Sequence, residues 1–267
     1  MFYVGLFFLL NSSHLLAQKE TSTGPSRIPL WEKAKRLEKK GSYLKAKEVY
    51  DSLLGQEDLG DKRNVIQKEY EALNIKIIYS LLETSDSFMY EVAPGDTLSE
   101  IAKKNGTTIE LLKRSNSLTS IDKITAGKKL KVIKNKFSIL IEKNKNRLTL
   151  LSNGKPVKRY KVATGVKGST PTGTFKIINK LENPTWFHAG QIISPEDPHN
   201  IIGSRWLGFD KPSYGIHGTT LPKSGVEPIK PTDFSIMCIE PPFPLLNPFA
   251  RPKSSHTRAR KLPPFAR

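Results

Sequence analysis

The sequence predicts an α+β chain of several domains: an N-terminal helical hairpin, a small βααβ unit, and a mostly-β second half. Three observations predict it. Apolar residues recur at helical spacing over residues 31–54. Two short capped helical segments stand between strand-like runs over residues 90–133. From Phe137 the hydrophobic pattern changes from a helical period to alternation, broken by turn residues.

At 267 residues and 37% hydrophobic content the chain has material for roughly two compact domains. Its single cysteine, Cys238, excludes an internal disulfide and is either an inert core thiol or a reactive one. The net charge of +18 favours a polyanionic neighbour. Arginine and aromatic residues do not interleave as base-stacking surfaces require, so nucleic acid is not the expected partner. The histidines and the cysteine lack metal-ligand spacing, and no cofactor is expected.

Element by element, residues 1–17 read as a signal peptide or N-terminal hydrophobic segment. The run MFYVGLFFLL is too short to span a bilayer, and a cut after Ala17 fits it, although no basic residue precedes the run. The expected location is exported, in the periplasm or cell wall, with only transient membrane contact through this signal. Residues 18–29 read as a linker, being rich in Thr, Ser, Gly and Pro. In residues 30–85, Trp31, Ala34, Leu37, Tyr43, Ala46, Val49, Tyr50 and Leu53 mark a hairpin about Lys40-Gly41, with a further helix over about 64–84. This hairpin is similar to one tetratricopeptide repeat. A lone repeat cannot bury a solenoid core, so a spacer or docking arm is the simpler role.

Residues 88–134 carry the clearest local frame. A short strand enters a turn at Pro94-Gly95-Asp96, and Thr97 caps a helix that shares Leu98, Ile101 and Ala102 on one face. Thr107 or Thr108 caps a second helix, and a polar run from Asn116 leads to Ala126-Gly127 and a closing strand. With P-G-D-T-L at one end and A-G-K-K-L at the other, this segment resembles a lysin motif (LysM) domain. The resemblance implies a groove for N-acetylglucosamine-containing glycan, lined by Gly95, Asp96, Thr97, Leu98 and residues near Asn116.

Residues 137–250 are expected to form one mostly-β domain that opens antiparallel, with FSILIE, RLTLLSNGKPV, KRYKVATG and TGTFKIINK as strands and turns at 143–146 and 153–154. The segments STPTGTFKI and GSRWLGFDKPSYGIHGT resemble landmarks of the L,D-transpeptidase catalytic domain. That resemblance implies a cysteine acyl-enzyme acting on peptidoglycan peptide stems, with His217 as base, Gly218 beside it, Cys238 as nucleophile, and Arg205, Tyr214 and Thr219 around the substrate. Acyl transfer of this kind needs an activated nucleophile, a held base and oxyanion donors. Tethering a glycan-binding module to such a site raises the local concentration of stems.

After residue 224 the chain departs from the family pattern. In place of S-x-G-C-I-R it has Ser235, Cys238 and Ile239 but Met237 and Glu240, and Cys238 follows His217 by 21 positions, a longer gap than the family's. Residues 225–267 hold 9 of the 19 prolines, a density that argues against central strands there. Arginine and lysine usage also shifts, from 7 Arg and 29 Lys before Gly225 to 4 and 3 after it, which reads as a frame shift or similar lesion. Residues 251–267 read as a disordered Pro/Arg-rich tail. The alternative function is therefore a catalytically defective wall-binding protein whose LysM domain still docks.

Overall fold

The computed structural model describes residues 27–56, 58–122, 124–165, 169–188, 190–218 and 236–238. The expected signal segment, Thr219 and the expected tail lie outside the described residues. The helical region starts earlier than expected. Helix α1, Arg27–Lys39, takes in the last residues assigned to the linker, and Pro29 sits in its first turn, where a missing N–H costs no helical bond.

Gly41, at φ +74°, ends α1. Ser42 N–H donates to Leu37 O and Gly41 N–H to Glu38 O, both at 2.9 Å, so two terminal carbonyls are satisfied as α2, Tyr43–Leu54, begins. Helix α3, Arg63–Ile78, closes the unit over Ala34, Ala46, Tyr50, Leu53, Ile66 and Leu73. Trp31 Nε1 and Tyr50 Oη both donate to Glu69 Oε2, at 2.5 and 3.1 Å, so α3 is held by polar contacts as well as by burial.

In the small unit, β1, Ser87–Glu91, pairs antiparallel with β2, Lys129–Ile133, and α4, Leu98–Lys104, and α5, Ile109–Ser115, pack against this two-stranded sheet. Thr97 and Glu100 form a reciprocal capping box at α4, and Thr108 caps α5.

The second half is a seven-stranded sheet. Its strands in chain order are β3, Phe137–Glu142; β4, Arg147–Ser152; β5, Lys155–Ala163; β6, Ile177–Glu182; β9, Arg205–Phe209; β10, Gly215–His217; and β11, Ile236–Cys238. The spatial order is β3-β4-β5-β11-β10-β9-β6. A separate hairpin joins β7, Trp186–His188, to β8, Gln191–Ile193. Two expectations are corrected here. The domain opens antiparallel through β3, β4 and β5, as expected, and turns parallel at β10 and β11, but KPVKRYKVA forms one strand where two were expected and TGTFK forms none. A central strand also forms within the proline-rich stretch, because residues 232–240 themselves contain no proline and can supply every ladder N–H.

One face of the sheet is covered by the preceding domains. Leu148, Leu150, Tyr160, Val162, Leu207 and Ile216 form one core with Ile75 of α3 and Leu111 of α5. Polar ties fix the arrangement. Glu71 accepts from Arg159 Nε at 2.8 Å and from its backbone N–H at 3.2 Å, and Asn74 Nδ2 donates to Val157 O at 3.3 Å. Lys131, on β2, is 1% exposed and donates to Ile77 O and Ser80 O at 2.9 and 3.0 Å, meeting the carbonyl end of α3 with positive charge.

Candidate active site and glycan groove

Alternation along β10 sends Ile216 into the covered core and His217 to the opposite face. His217 is 1% exposed. Its Nδ1 lies 2.7 Å from Gly218 O, and since a carbonyl only accepts, Nδ1 carries the proton and Nε2 the lone pair. Nε2 is buried with no hydrogen-bond partner among the described residues. Burial pushes the imidazole pKa down to about 4, against the smaller upward pull of the Gly218 carbonyl, so the ring is neutral at pH 7.

Trp206, the register partner of His217 on β9, stacks on it with centroids 6.1 Å apart and planes at 19°. The indole needs a notch, and two glycines provide it. Gly208 and Gly215 are themselves register partners. A Cβ on Gly215 would stand 2.6 Å from Trp206 Cζ2 and from Leu207 O, and one on Gly208 would stand 2.8 Å from Trp206 Nε1. This notch was missed at the sequence level. Its signal is the period-2 placement of Trp206 with Gly208 and of Gly215 with His217 on one sheet face.

Gly218 N–H donates to Arg205 O at 3.2 Å, extending the β9–β10 ladder beyond His217. Arg205 is half-buried, with Nη2 3.3 Å from Glu182 Oε1. Tyr214 is half-buried, its backbone O accepts from Phe209 N–H at 2.9 Å, and Lys211 Nζ lies 5.0 Å above its ring. Strand β11 brings the backbone of Cys238 beside β10, with Met237 in register with His217 and Cys238 in register with Val162 of β5.

In the small unit, Gly95 is exposed at φ +87°, which the turn requires. Asp96 accepts from Ala93 N–H and Tyr90 Oη, both at 2.8 Å, and these bonds, the backbone one first, hold its carboxyl below the ordinary range. Thr97 is exposed. Leu98, 2% exposed, belongs to the hydrophobic core. Asn116 is also buried. It accepts from Lys131 N–H at 2.7 Å and donates to Lys131 O and Leu112 O at 2.9 and 2.8 Å, so its side chain ties α5 to β2. The accessible part of the expected groove is therefore the turn at Gly95, Asp96 and Thr97.

Two comparisons bear on this geometry. Residues 136–240 match the L,D-transpeptidase catalytic domain and residues 90–132 the LysM domain. The YkuD protein of Bacillus licheniformis is 32% identical over 143 residues, covering 51% of this chain and 78% of that relative. The chain belongs to the L,D-transpeptidase family.

YkuD of Bacillus subtilis gives 33% identity over 143 residues, covering 51% of this L,D-transpeptidase and 77% of the relative. YqjB of the same organism gives 36% over 92 residues, covering 32% and 51%. The family match runs through residue 240, past residue 224 where the sequence pattern broke, and takes in both His217 and Cys238. In enzyme class this L,D-transpeptidase is an acyltransferase, and its two matched domains associate it with peptidoglycan and the cell wall. No helix among the described residues is long and apolar enough to cross a membrane.

Proposed function

We propose that this L,D-transpeptidase is exported, holds glycan strands through its LysM turn, and crosslinks peptide stems through a thioester on Cys238. The observation that carries the reading is the state of His217. Its Nδ1 is committed to Gly218 O and Nε2 is left as a buried neutral base, with the backbone of Cys238 on the neighbouring strand and Met237, not Cys238, in register with His217. His217 Nε2 takes the thiol proton as sulfur attacks the carbonyl preceding the terminal D-alanine. The same proton passes to the departing D-alanine amine as the peptide bond breaks, leaving the thioester. The amine of a second stem then attacks the thioester, its proton returns to sulfur through His217, and a new amide forms. Gly218 keeps the backbone beside the base, and Arg205 and Tyr214, with Thr219, bound the substrate.

A second reading has its own support. Met237 and Glu240 stand where the family motif has glycine and arginine, and an acidic neighbour disfavours a thiolate. On that reading the LysM domain binds and the catalytic half is silent. Muropeptide analysis after incubation with tetrapeptide-rich peptidoglycan separates the two. New stem-to-stem crosslinks that vanish in His217→Ala support the transpeptidase; sedimentation with the wall but no crosslinks supports the silent binder.

A further inference from the structure

A cleft of about 1240 Å³ opens on the sheet face opposite His217, between the α4–α5 loop of the LysM domain and the first edge of the sheet. One wall is β3, whose only strand partner among the described residues is β4. Asn153 N–H donates to Lys136 O at 2.9 Å, and this sets the phase of the β3–β4 ladder. Even-numbered residues of β3 bond inward to β4, so the backbone N–H and C=O of Ile139 and Ile141 point outward along the cleft. The floor is apolar. Ile139 and Ile141 lie beside Leu150 and Ile216, and Phe175 stacks on Phe209 with centroids 5.5 Å apart. The rim is basic, with exposed Lys136 and Lys176 flanking the edge and Lys134 and Lys143 close by.

We propose that this cleft binds an extended acidic segment of a partner protein, which adds to β3 as an eighth strand. An added strand satisfies the outward amides of Ile139 and Ile141, as exposed edges do when they recruit peptides. Its alternating side chains would face the apolar floor and the lysine rim in turn, which selects a segment alternating apolar with acidic residues. Charge complementarity chooses among occupants. The chain's own residues 241–267 carry no Asp or Glu and several Arg and Lys, and their prolines remove ladder donors, so the C-terminal segment fits poorly. A second copy would bring the same lysines against these. The inference does not depend on the chemistry at His217, which lies on the other face, although Tyr214 borders this cleft.

The test uses the full chain and fluorescein-labelled hexapeptides read by fluorescence anisotropy. A peptide alternating valine and glutamate is expected to bind, and one alternating valine and lysine is not. Methylating alternate amide nitrogens of the acidic peptide is expected to weaken binding at least tenfold, because only a ladder needs those donors. The double variant Lys136→Glu, Lys176→Glu, with unchanged circular dichroism, is expected to weaken it similarly. Equal binding of the methylated peptide, or no effect of the charge reversal, overturns the proposal. So does displacement of the acidic peptide, at matching concentrations, by a synthetic peptide of residues 241–250 or by a tetrapeptide muropeptide. A dimer that the acidic peptide dissociates would assign the edge to a second copy and likewise overturn it.

Discussion

His217 and Trp206 face each other across β10 and β9 as register partners, their rings stacked at 6.1 Å, and the imidazole is all but sealed from water. A sealed ring resists protonation, and this sets a pH window. The unfolded chain takes up the proton near 6.5 and the folded chain only near about 4. Between these values the unfolded state binds more protons, so stability is full above pH 6.5 and falls as pH drops toward 4. The loss is about 3 kcal/mol. Denaturant melts of wild type and His217→Gln between pH 4 and 7 should diverge in this window. Parallel curves would contradict the buried neutral imidazole. In turnover, the acid limb governed by His217 should lie near pH 4, not 6.5.

The Gly208 and Gly215 notch predicts a sharp contrast between neighbouring glycines. Gly215→Ala places a methyl 2.6 Å from both the Trp206 ring and Leu207 O, while the nearest atom to a Cβ on Gly218 is 3.7 Å away. Gly215→Ala should cost about 1–3 kcal/mol of stability and lower kcat more than it raises KM, because it shifts the ring that positions the base. Gly218→Ala should lose less than about 1 kcal/mol. Urea melts and steady-state kinetics on both variants check this.

Lys131 makes the join between α3 and the LysM domain pH-sensitive at the alkaline end. Burial pushes its pKa down to about 8. Above that value the folded chain releases the proton while the unfolded chain keeps it up to about 10.4, so stability should rise with pH through this window. Thermal melts from pH 7.5 to 10 should show that rise in wild type and its absence in Lys131→Met.

Asn116 should behave as a fold residue. Asn116→Ala leaves the buried N–H and C=O of Lys131 without their side-chain partner and should cost about 1–3 kcal/mol. Thr97→Ala, at the exposed α4 cap, should cost about 1 kcal/mol. If Asn116 contacted glycan directly, its variant would keep full stability and lose only wall binding.

Much of this organisation was legible because it is local. The cap at Thr97, the turn glycine at Gly95 and the end of α1 at Gly41 are each set by residues within a few positions, and each is legible at or near its place. What could not be read was set at long range. That Asn116 turns inward depends on β2, which pairs with β1 across some forty residues. That a strand forms at Ile236–Cys238 depends on a slot between β5 and β10, and proline counting over a wide window missed the proline-free run that fills it. The stacking of Trp206 on His217 was hidden because its glycine notch spans two strands.

Acylation of Cys238 with His217 as its base is the central step of the proposed reaction. Intact-mass spectrometry of the full chain mixed with a tetrapeptide stem tests this most directly. The predicted result is an adduct equal to the stem less D-alanine, released by an acceptor amine and absent from both Cys238→Ala and His217→Ala. A folded, wall-binding wild-type chain that never gains that mass would contradict it.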